Sequence, residues 1–151
     1  MSSGATKSGG PSSETRALID SLYRAFTGEP ELLDGVVTPD WQDIPLAPGQ
    51  GPGPAGVKPM IAALKAAVPD IAIAVHDVLI DGDRIGVRAE MTGTHRGEWF
   101  GVAPTGRAFT VALHEFHRIE NGRLTHTWHL EDWFGWLNQV GAWPTNMENA
   151  S

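Results

Sequence analysis

Imidazoles and carboxylates are the side chains best suited to moving protons near neutral pH. In this chain they gather in one stretch, Arg107 to Val140, RAFTVALHEFHRIENGRLTHTWHLEDWFGWLNQV, which carries His114, Glu115, His117, His126, His129, Glu131 and Asp132. Taking a proton from a carbon between two carbonyl groups needs a base with a pKa near the working pH. An apolar pocket lifts a carboxyl from about 4 towards 6 or 7. Asp132, at the end of a run whose alternate residues are Trp128 and Leu130, is read as such a desolvated acid. The same residue type admits another role, because Asp is a favoured N-cap and an apolar segment starts at Trp133.

Stepping from Glu120 across to Arg123, the dipeptide Asn121-Gly122 separates two alternating runs, the pattern of a two-residue β-hairpin. If Glu120 closes the turn against Arg123, then Ile119 faces Leu124, His117 faces His126, Glu115 faces Trp128, Leu113 faces Leu130 and Val111 faces Asp132. These ten residues share one side of the sheet. The other side carries Arg118, Thr125, Phe116, Thr127, His114, His129, Ala112 and Glu131. The first side is the more apolar and is predicted to be buried. It makes His117, Glu115, His126, Trp128 and Leu130 candidate substrate contacts around Asp132. Six strand residues span roughly 20 Å at about 3.3 Å each, so His126 cannot bond Asp132. A partner for it is sought in His95, Tyr23 or Gln42. His114 and His129, with Glu131, are expected on the outer face at a sheet-to-sheet homodimer interface, with no metal bound. Trp41, Trp99 and Trp128 are candidate aromatic walls.

At 151 residues the chain is expected to form one domain over 14–142, between a Ser/Gly-rich disordered tail, 1–13, and a terminal tail, 143–151. The formal charge of −7, with no run of either sign, argues against nucleic acid and anionic membrane and favours a neutral or cationic small molecule. With no cysteine, thiolate chemistry and disulfides are excluded. Nothing before residue 30 reads as a signal peptide and no apolar run approaches the roughly 20 residues of a membrane span, so a soluble cytoplasmic protein is expected.

Helical spacing appears over 14–26, from Pro30 towards Val37, and from Val57 to Val68, with Pro59 in its first turn. Trp41 to Ile44 reads as a short strand, 45–54 as a loop, and Ile71 to Ile80 with Arg84 to Thr92 as a hairpin through Asp81-Gly82-Asp83. Helices first and antiparallel strands after make an α+β fold, with the helices on one face of a curved sheet.

Three stretches, GPAGVKPMIAALKAAVPD (53–70), GTHRGEWFGVAPTGR (93–107) and Trp128-x-x-x-Asp132 running on to Gly141, resemble the SnoaL-like polyketide cyclases, also called ester cyclases. The resemblance covers roughly 14 to 142 and implies the nuclear transport factor 2-like fold, a cone-shaped curved antiparallel sheet wrapped by about three helices around a pocket. It implies a lyase or isomerase that needs no cofactor and closes a ring of a hydrophobic or aromatic carbonyl substrate by intramolecular aldol condensation. The family's acid/base aspartate is carried over onto Asp132, and its pocket histidine onto His117. Trp41-Gln42-Asp43-Ile44 departs from the family in lacking a histidine or asparagine. Two other functions fit such a pocket: a non-catalytic ligand-binding protein, and an epoxide hydrolase-like enzyme, whose arginine would be Arg88 or Arg107.

Overall fold

The computed structural model describes residues 12–144. The tails expected at 1–13 and 143–151 lie outside the described residues, except for their inner ends at Ser12, Ser13, Trp143 and Pro144.

Helix α1, Ser13–Phe26, starts where Ser12 accepts a hydrogen bond from the Thr15 N–H, and it buries Ile19, Leu22, Tyr23 and Ala25. A single 3₁₀ turn, Pro30–Leu32, runs into the short helix α2, Leu33–Val36. The chain then passes at once into strand β1, Val37–Ile44, longer than the sequence predicts and containing Pro39. A proline is tolerated there because β1 is an edge strand, and its pairing skips from Val37 to Gln42.

Helix α3, Gly53–Ala67, begins a turn earlier than expected, which places Pro59 inside it at the loss of one backbone hydrogen bond. The loop before α3 lies against it where Gly56 meets the backbone of Gly51: a Cβ on Gly56 would overlap the Gly51 carbonyl. Gly56→Ala is therefore expected to destabilise the protein by about 1–3 kcal/mol, as overpacking typically does. Chemical denaturation checks this, and an unchanged midpoint would mean that the loop is not packed on α3.

Four further strands complete the open sheet: β2 (Ala72–Asp81), β3 (Arg84–Thr94), β4 (Ala108–Glu120) and β5 (Arg123–Glu131). The sheet order is β1-β5-β4-β3-β2, antiparallel except where β1 runs parallel to β5. Helix α4, Trp133–Gln139, is the apolar segment after Asp132 and buries Trp136 completely. The core lies between the helices (Leu22, Val57, Ile61) and the inner face of the sheet (Ile85, Val87, Ala89, Phe109, Val111, Leu113).

The last hairpin turns at Asn121-Gly122, both with positive φ, as expected of this dipeptide. Glu120 pairs with Arg123 and Ile119 with Leu124, but then the register steps by one residue. Arg118 pairs with His126, His117 with Thr127, Glu115 with His129 and Leu113 with Glu131. Thr125 is the extra residue of a β-bulge, and beyond it every β5 side chain changes face relative to the sequence-based pairing.

Candidate active site

The bulge decides which chemistry faces inwards. On β4 the expected face holds: Leu113, Glu115 and His117 point to the helices, while Phe116 is 63% exposed. On β5 the inward residues are Thr127, His129 and Glu131. His126 and Trp128, expected inside, stack on each other instead, with the Arg84 guanidinium over the Trp128 ring, and Leu130 is 73% exposed. These three are corrections to the predicted contacts, and all have the bulge at Thr125 as their cause. His129 is likewise inside, away from His114, so the predicted outer-face pair does not form. Among the described residues no group of His, Asp and Glu is arranged to hold a metal ion.

Asp132 stands outside the pocket. Its side chain is exposed, it is the N-cap of α4, and Oδ1 accepts the Gly135 N–H at 2.9 Å. The capping alternative thus describes its position, and through α4 it helps orient Trp133, which does line the cavity. His95 is fully buried but away from the cavity, packed edge-on against Trp136 and bonded through Nδ1 to Thr105. Trp41 is core rather than cavity wall, and its indole Nε1–H donates to Thr127.

The cavity between α1, α3 and the sheet has a volume of about 80 Å³. Its walls are apolar, with Leu22, Phe26, Met60, Met91, Trp99 and Trp133 among them, and its polar groups are Tyr23, Asp43, Glu115, Thr127, His129 and Glu131. Among the described residues no lysine or arginine lines it. Arg88 is bound to Asp77 at 2.6 Å among exposed residues and Arg107 is not a lining residue, so neither supplies an Asp-Arg-Asp arrangement.

His129 sits between two carboxylates. Nδ1 is 2.9 Å from Glu131 Oε1, Nε2 is 2.8 Å from the Pro45 carbonyl oxygen, and Asp43 Oδ1 lies 3.3 Å from Nε2. A carbonyl oxygen only accepts, so Nε2 carries a hydrogen; with Nδ1–H donating to Glu131 the ring is an imidazolium. Burial alone would lower the His129 pKa. The hydrogen bond and charge of Glu131, the charge of Asp43 and the Pro45 carbonyl outweigh it, and the pKa is pushed up to about 9.

Asp43 is buried, with Oδ2 accepting from the Gln50 amide at 2.7 Å. Burial holds its carboxyl above the ordinary carboxylate range. The Gln50 hydrogen bond and His129 work against that, while Glu115 and Glu131 add to it. On the adjoining strand β4, next to His129, Glu115 accepts from the Tyr23 hydroxyl at 2.8 Å. Burial first, and then Glu115, raise the Tyr23 pKa, so the phenol keeps its proton. Tyr23, Glu115 and, of the candidate aromatic walls, Trp99 are the predicted residues that do line the cavity; the sequence reading missed Asp43, His129 and Glu131. The alternation of buried Trp41 with Asp43 on β1 was the available signal for the first, and nothing in residue type marks the bulge that brings in the other two.

The chain matches the SnoaL-like polyketide cyclase family over residues 17–140. Its fold is similar to that of TsrD from Streptomyces laurentii (26% identity, 87% of this chain and 98% of that one, TM-score 0.80). It is similar too to IdmH from Streptomyces antibioticus, a candidate polyketide cyclase (30% identity, 83% and 97%, TM-score 0.71). A Catenulispora acidiphila protein described as having a ketosteroid isomerase-like fold shares the architecture (18% identity, 85% and 95%, TM-score 0.70). No curated protein matches the chain.

Proposed function

Because the chain belongs to the SnoaL-like polyketide cyclase family, we propose that it is a cofactor-independent acid/base catalyst acting on a planar, carbonyl-rich small molecule, by intramolecular aldol ring closure or a related proton transfer. The observation that carries this reading is the Glu131–His129–Asp43 array inside an apolar cavity. Glu131 is the general base: it takes the proton α to a carbonyl, and the enolate carbon attacks a second carbonyl of the same molecule. Asp43, whose carboxyl burial keeps protonated to higher pH, is the acid that returns a proton to the new alkoxide. His129 has both ring nitrogens engaged and acts as a fixed positive charge that orients the two carboxyl groups. Tyr23, from α1, and Glu115, beside His129 on the sheet, complete the polar groups that meet the substrate. Ketosteroid isomerase chemistry divides its labour in a comparable way, with a carboxylate base opposite tyrosine and carboxylic acid donors.

The volume of about 80 Å³ is below the roughly 300–1,000 Å³ of pockets for drug-sized ligands, so a ring substrate enters only as lining side chains move. Met60 and Met91, unbranched and adaptable, are the walls most suited to repacking. A direct test is α-hydrogen exchange of a bicyclic aryl ketone, 1-tetralone, in deuterium oxide, followed by mass spectrometry. Faster exchange with protein than without is the expected result. A ketone that binds, shown by tryptophan fluorescence, yet exchanges at the uncatalysed rate would make this a ligand-binding protein.

A further inference from the structure

Beside the site, across β1, β5 and β4 of the same sheet, runs a line of buried polar groups that the proposed chemistry does not use. Trp41, Thr127 and His117 are 1%, 4% and 0% exposed, so water is not available to satisfy them. Trp41 Nε1 lies 3.0 Å from Thr127 Oγ1, and the same oxygen lies 2.8 Å from His117 Nδ1. Among the described residues His117 Nε2 has no hydrogen-bond partner, and Glu115 Oε2 is 3.4 Å from it.

The directions of these bonds follow from what each group can donate. An indole N–H only donates, so Thr127 Oγ1 accepts from Trp41. The threonine hydroxyl hydrogen then needs an acceptor, and among the described residues the His117 Nδ1 lone pair is the one within reach. Leaving that hydrogen unpaired would cost about 1–3 kcal/mol. Nδ1 is therefore bare, and Nε2 bears the hydrogen of the ring. We infer that Thr127 is a positioning residue of this site: held by Trp41, it locks His117 as the Nε2–H tautomer and so presents a donor to Glu115.

The consequence is geometric. Tyr23 already donates to Glu115 Oε2, and His117 Nε2 lies 3.4 Å from the same oxygen without the alignment of a formed hydrogen bond. A small reorientation of Glu115 on substrate binding brings the two into line, holds Oε2 between two donors and leaves Oε1 for the substrate. The opposite tautomer would set a nitrogen lone pair against a carboxylate oxygen and push Glu115 away. This inference rests on the proposed function only in taking Glu115 as a wall of the reacting site.

Long-range proton–nitrogen correlation spectra of ¹⁵N-labelled protein test it, with the His117 signals identified by their loss in His117→Gln. The wild type is expected to show Nδ1 as a hydrogen-bonded bare nitrogen and Nε2 as an N–H. In Thr127→Val, which keeps the side chain's shape but removes the hydroxyl, the tautomer is released and the Nδ1 signal moves away from that of a hydrogen-bonded bare nitrogen. Thr127→Ser, which restores the hydroxyl, returns it. In the tetralone assay Thr127→Val lowers kcat by on the order of tenfold to a hundredfold with KM little changed, as misplacement of a reacting group does, and Thr127→Ser recovers it. A wild type with Nδ1 protonated, or a Thr127→Val protein with an unmoved Nδ1 signal, overturns the lock. If the wild type exchanges no ketone, the proposed function fails while the nitrogen signals still decide the tautomer.

Discussion

Glu131→Gln and Asp43→Asn should each lose about 10²–10⁴-fold in turnover while the protein stays folded, since amide and carboxyl are nearly the same size and general acid/base groups contribute that much. For Glu131 the loss follows from removing the base and the anionic partner of His129 together; for Asp43 it follows from removing the proton donor and leaving its Gln50 contact in place. Asp132→Asn should behave oppositely. Asn caps a helix about as well as Asp, so activity and stability are both kept, whereas Asp132→Ala costs on the order of 1 kcal/mol through the lost bond to Gly135. Rates of ketone exchange beside denaturation midpoints for these four proteins separate the roles. An inactive Asp132→Asn beside an active Glu131→Gln would move the base to Asp132.

The contrast between these two neighbours explains how far the residues alone carry. Strand β4 is legible because Phe109, Val111 and Leu113 alternate without interruption, and that parity places Glu115 and His117 correctly. Strand β5 is not, because its inward positions past Leu124 are Thr, His and Glu, the types that hydropathy assigns to solvent. They are tolerated inside because each finds a buried partner: Thr127 has Trp41, and His129 has Glu131, Asp43 and the Pro45 carbonyl. Three of these partners, Trp41, Asp43 and Pro45, come from β1 and its following loop, which reach β5 only through the parallel pairing of Gln42, Asp43 and Ile44 with His126, Thr127 and Trp128. Such a contact between strands some 80 residues apart leaves no local trace in the sequence. The helices and the order of the elements, set by short-range spacing and capping, do leave one.

The same carboxylates that arm the site, by holding the His129 proton, make the fold sensitive to alkali. The His129 pKa is about 9 in the folded protein against an ordinary 6.5, so between those values the native state holds a proton that the unfolded chain releases. Its contribution is fully present below about pH 6.5 and is lost as pH rises through about 9. At 1.36 kcal/mol per unit, the loss is on the order of 3 kcal/mol. Asp43 carries the same sign in a more acid interval, because its raised pKa also makes the folded state the better proton binder. Asp70 and Glu29, held by Thr94 and Arg24, have lowered pKa values and act in the opposite sense, but at acid pH and outside the window of His129. Unfolding free energy from denaturant titrations should therefore decline from pH 6.5 to 9, and in His129→Gln, which has no ring to titrate, that decline should largely vanish. A wild-type curve flat across the window, or one equally steep in His129→Gln, would show that the imidazolium is not what binds the proton between Glu131 and Asp43.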